Sequence, residues 1–97
     1  MVSADSQFKK NPNIVARRIM DEFILVPAED NVLNTQCIFS TNEVGGRVWE
    51  LIDGKNLASD IAAALVREFD VEQDVALKDT IELLGKMLEK GCIEGPP

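Results

Sequence analysis

The chain has 97 residues, 45% of them apolar, which suits one small domain with a modest core and little room for an enclosed active site. Its formal charge is −7 with 28% charged residues, the wrong sign for neutralising a phosphate backbone, so nucleic acid is not an expected partner. Apolar runs are too short to span a bilayer, and Met1 to Asn13 lacks the apolar stretch of a signal peptide, so a cytoplasmic location without a membrane partner is expected. Cys37 and Cys92 show no metal-ligand spacing and read as reduced thiols.

Residues 1–13 are polar and broken by Pro12, and are expected to form a flexible tail ahead of a domain at 14–94. Three strands follow. Ile14–Met20 and Glu22–Val26 are separated by a turn at Asp21-Glu22, Pro27 to Asn31 make a second turn, and Val32–Phe39 is the third strand. Such short connections give an antiparallel meander with the second strand in the middle. After Phe39 the apolar period changes to about 3.6 residues. Ser40, Thr41 and Asn42 supply N-cap candidates, Val44, Val48, Leu51 and Ile52 repeat at helical spacing, and Asp53-Gly54 closes the first helix. A second helix from about Asn56 buries Leu57, Ile61, Ala64, Leu65 and Phe69. A third runs from about Glu72 to Lys90 and stops at Gly91, with Cys92-Ile93 packing back on the core. The class is α+β, ordered βββααα.

Catalysis by this chain is not expected. It contains no His and no Tyr, which removes the usual general base and the commonest metal ligand. Glu68, Asp70, Glu72 and Asp74 alternate as in a calcium loop, but no Gly supplies the sharp turn and no Glu closes the site, so they read as a solvated helix start. Cys37 has no basic neighbour and reads as a structural thiol. No cofactor is implied.

The uncharged run from Asn31 to Asn42 is the most informative segment. It covers the third strand, an edge of the meander, whereas the first strand carries Arg17 and Arg18 and so is guarded against pairing. An unguarded edge suits β-augmentation, in which a peptide adds as a further strand; cover by a helix or by a second copy is the alternative. This makes Val32, Leu33, Asn34, Thr35, Gln36, Cys37 and Ile38 candidate peptide-binding residues. The third helix carries one apolar stripe of Leu77, Ile81, Leu84 and Leu88 and a second of Ala76, Thr80, Leu83 and Met87. One stripe is enough for a helix lying on a sheet; the second is the candidate groove lining, the alternative being a deeply buried helix. Gly85 within this helix suggests a close approach by a neighbouring element or a ligand. The pair Gly45-Gly46 marks where the first helix crosses the sheet or another helix, and Trp49 reads as a core anchor.

From Ile14 to Ile93 the sequence resembles the PqqD family, named for pyrroloquinoline quinone biosynthesis protein D. The resemblance lies in Asn42-Glu43-Val44-Gly45-Gly46-Arg47-Val48-Trp49-Glu50-Leu51-Ile52-Asp53-Gly54, in Leu57 to Asp70 with Ile61 and Leu65, and in Asp79, Leu83, Leu84, Met87 and Gly91. Thr41 departs from the Leu often found there in the family. The resemblance implies a winged-helix-like domain that acts as a recognition element for ribosomally made, post-translationally modified peptides. It would bind a precursor's leader peptide between the third strand and third helix and deliver it to a maturase, such as a radical S-adenosylmethionine enzyme. A regulatory subunit of a larger enzyme is a second reading. A winged-helix DNA-binding protein is a third, disfavoured because Asp74, Asp79, Glu82 and Glu89 outnumber Lys78, Lys86 and Lys90 on the third helix. The open edge also raises the expectation of a homodimer in the absence of peptide.

Overall fold

Two hairpin-forming runs and three amphipathic segments give the architecture of the computed structural model, which describes residues 2–28 and 39–95. The elements are β1 (Lys9–Lys10), β2 (Ile14–Ile19), β3 (Glu22–Pro27), β4 (Phe39–Thr41), α1 (Glu43–Leu51), α2 (Ala58–Glu68), α3 (Gln73–Glu89) and β5 (Ile93–Glu94). β2, β3 and β4 form an antiparallel sheet in that order, and β1 pairs with β5 in a second, two-stranded sheet. The class is α+β, with three helices after the three-stranded sheet. Among the described residues, no helix is long and apolar enough to cross a membrane.

The main sheet owes its position to strand alternation. Phe23 and Leu25 on β3 point to one face and are buried, while Glu22, Ile24 and Val26 point to the other. Thr41 lies opposite Phe23 and Phe39 opposite Leu25, which fixes β4 against the same core. Of the expected third strand, Val32–Phe39, only Phe39 falls within the described residues.

The segment expected to be a flexible tail is tied to the domain. Phe8 is buried, Lys9 and Lys10 pair with Glu94 and Ile93, and the Ala58 and Ser59 amides donate to the Ser6 and Ala4 carbonyls. Phe8 contributes apolar surface that matters in a chain of only 97 residues. Cys92 and Ile93 are buried as expected; Cys37 lies outside the described residues.

The helix ends follow local chemistry. Asn42 Oδ1 accepts from the Gly45 amide at 3.0 Å to cap α1, and Asn56 Nδ2 donates to the Leu51 carbonyl at its far end. Asp60 accepts from the Leu57 amide at the start of α2. Past α3, Gly91 adopts φ 79°, and the Cys92 and Gly91 amides bond back to the Met87 and Leu88 carbonyls. That is the left-handed C-cap for which glycine is favoured.

Candidate peptide groove

The site begins with how α1 meets the sheet. Gly46 lies against the ring of Phe23, and Gly45 lies against the side chain of Thr41; a Cβ on either glycine would overlap those atoms. The two glycines therefore let α1 sink onto β3 and β4, as the sequence suggested, and Trp49 and Val48 on the same helix are buried beneath the sheet. The Lys10 ammonium stands 5.6 Å from the Trp49 ring centre, a cation–π contact on the ring's outer side.

α3 behaves differently. Its principal partners are α2 and β5, and it stands off from β4. The gap is a groove of about 390 Å³ lined by Thr41, Asn42, Val44 and Gly45 on one side and Asp79, Glu82, Leu83 and Lys86 on the other, with Val71 at one end. Val44, Val71 and Leu83 are half-buried and apolar, while Asp79, Glu82 and Lys86 are exposed along the rim. Val75, 48% exposed, lies two turns before Leu83 on the same side of α3.

This changes the assignment of the α3 stripes. Ala76, Thr80 and Met87, expected to line a groove, are fully buried together with Leu84, which belongs to the other expected stripe. These four, at i, i+4, i+8 and i+11, form the core stripe. Leu77 and Ile81 flank it on one side and are half-buried, with Leu88 beyond them more exposed. Leu83 flanks it on the other side and reaches the groove. The 100° step between successive residues puts Asp79, Glu82, Leu83 and Lys86 together on that side. Thr80 buries its hydroxyl without a hydrogen-bond partner among the described residues, which is uncommon at a core position. Val44, Val71 and Val75 were not singled out for the groove from sequence. The available signal was Val75, an apolar residue on an otherwise charged helix side.

Val32, Leu33, Asn34, Thr35, Gln36, Cys37 and Ile38 lie outside the described residues. The described end of that run, Phe39–Thr41, is β4, and β4 is an edge of the β2-β3-β4 sheet. A Cβ added to Gly85 would meet nothing within 4 Å, and Gly85 lies about 145° around α3 from the core stripe. The close approach expected there is absent among the described residues.

Electrostatics at the ends of α1 and α2 stiffen the frame behind the groove. Arg47 donates from Nε to Glu68 Oε1 at 2.8 Å and from Nη2 to Glu68 Oε2 at 3.1 Å, with Glu50 Oε1 3.5 Å from Nη1. The forked contact from Arg47 holds the Glu68 carboxyl below its ordinary range. The Asn56 and Lys55 amides do the same for Asp53 in the α1–α2 turn. Glu68 thus serves an inter-helix ion pair.

Comparison with known proteins places this geometry. A solved structure titled "TbiB1 in Complex with the TbiA(beta) Leader Peptide" is similar over 92% of this chain and 98% of that one, with a TM-score of 0.70 and 24% identity. A second, titled "Lasso peptide synthetase B1 complexed with the leader peptide", covers 91% and 98% with a TM-score of 0.70 and 18% identity. At these identities the likeness shows a shared fold. No curated protein matches the sequence. Residues 22–93 match the family described as PqqD, coenzyme PQQ synthesis protein D, a span that takes in the sheet's central strand, all three helices and the groove between them. The chain belongs to the PqqD family.

Proposed function

We propose that this domain is a non-catalytic recognition element that binds the leader of a precursor peptide and presents it to a peptide-modifying enzyme. The leader adds as a strand along residues 32–41 and rests its side chains in the groove between the β4–α1 junction and α3. The observation that carries this reading is the groove itself: an apolar floor of Val44, Val71 and Leu83 beside an edge strand. Main-chain bonds along an edge supply affinity, and pockets for alternate side chains supply selection. Support also comes from the two solved structures of this fold, each a complex with a leader peptide. The receiving enzyme is proposed to be a radical S-adenosylmethionine maturase or another enzyme that acts on ribosomally made peptides.

Fluorescence anisotropy tests the reading with a labelled leader of a short precursor peptide, taken as a candidate from a search of the neighbouring genes. Saturable binding is expected, with none for a scrambled leader. Gln36→Pro removes a backbone donor from the edge run and is expected to weaken binding while the circular dichroism spectrum is retained. Equal affinity for the scrambled peptide contradicts the proposal.

A further inference from the structure

The two walls of the groove differ in charge. The α3 wall carries Asp79 and Glu82, whereas the opposite lining of Thr41, Asn42, Val44 and Gly45 carries no charged side chain. Asp79 and Glu82 stand three residues apart on one side of α3, a spacing at which like charges repel. Glu82 has Lys78 and Lys86 four residues away in either direction, but Asp79 has no basic residue three or four positions away. Neither carboxylate makes an ion pair among the described residues. Nor do three or more metal-ligating side chains gather among the described residues, so the two carboxylates are not part of a metal cage. Beside them, Val44 and Leu83 form a half-buried apolar floor.

We infer, building on the proposed function, that the groove selects leader peptides with one Lys or Arg among the side chains that face it. Such a side chain matches both surfaces at once. Its methylene stem covers the apolar floor at Val44 and Leu83, and its charged head reaches the carboxylates on the rim. A wholly aliphatic residue would cover the floor but leave Asp79 and Glu82 repelling each other, and an acidic one would add to the repulsion. A cation placed between the two relieves it. Lys86 lies about one turn beyond Glu82 on the same wall and repels a second base there, so a single basic position is selected. Alternate residues of an added strand face the groove about 6.7 Å apart, so an apolar residue two positions from the base covers the rest of the floor. The formal charge of −7 also draws a basic leader towards the domain.

Anisotropy titrations with the labelled candidate leader test this, repeated with each Lys or Arg of the leader replaced in turn by Gln. The domain is used as wild type and as the double variant Asp79→Asn/Glu82→Gln. Both positions are exposed, so the thermal midpoint should not move. One leader substitution is expected to lower affinity for the wild-type domain about fivefold at low salt, the upper range for an exposed ion pair. The same substitution should have no further effect on the double variant, and added salt should shrink the difference. Glu22→Gln/Asp74→Asn removes the same charge at exposed positions outside the groove and should keep the wild-type preference. A leader that binds saturably without any Lys or Arg, or that loses nothing on their replacement, overturns the inference. So does an equal loss in the wild type and the Asp79→Asn/Glu82→Gln variant, which would place the base elsewhere. If no leader binds the wild-type domain at all, the proposed function falls, and the selectivity falls with it.

Discussion

α1 and α3 approach the same sheet and make opposite use of their glycines. α1 brings Gly45 and Gly46 to Thr41 and Phe23 and closes onto the strands. α3 keeps Gly85 on its solvent side and stands away from β4, leaving the groove. A mid-helix glycine costs about 1 kcal/mol against alanine wherever it lies, so the cost alone does not say which glycine is needed for packing. What it packs against decides that. One helix closes the domain, and the other holds it open.

The largest expected effect comes from breaking the closed side. Gly46→Ala places a methyl inside the Phe23 ring, which is itself held in the core, and should destabilise the domain by about 1–3 kcal/mol in urea unfolding. Unchanged stability would mean that α1 has freedom to move off the sheet. On the open side, Leu83→Lys should leave stability nearly intact and reduce leader affinity about tenfold, because it puts a solvated ammonium on the apolar floor. Unaltered binding would remove Leu83 from the site.

Gly85→Ala sharpens the same contrast with the opposite sign. With open space around it and no positive φ, the substitution should stabilise the domain by about 0.5–1 kcal/mol in the same unfolding assay. Destabilisation would show that something does approach Gly85. The smallest effect concerns the frame. The folded-state carboxyl of Glu68 sits below its ordinary range, so its contribution is present above the ordinary carboxylate pKa and is lost as pH falls through the lowered value. Glu68→Gln should therefore flatten part of the acid loss of stability and do little else, since the pair is half-exposed. Thermal melts of both proteins from neutral to acidic pH check this.

The first two strands of the main sheet, the three helices and the glycine crossing were legible in the sequence because they rest on short-range rules: the β-branched apolar runs from Ile14 to Val26, the Asn42 cap, and the Gly91 stop, whereas Ser40 and Thr41, read as cap candidates, lie in β4. The α3 stripes were misassigned because periodicity gives angles around a helix without saying which angle faces inward. Ala76 and Thr80 are small, and only packing against neighbouring helices reveals them as the core line. The docking of Phe8 was invisible for a related reason. One apolar residue in a polar stretch carries no period, and its burial depends on β5 from the far end of the chain.

Backbone amide shifts of the labelled domain, followed as the leader peptide is added, test the central claim most directly. The account expects the largest changes along the uncharged run through Phe39, Ser40 and Thr41, and at Val44, Val71, Leu83 and Lys86 across the groove, with α2 nearly silent. Changes confined to β2 and the hairpin tip, with β4 and α3 unmoved, would contradict it.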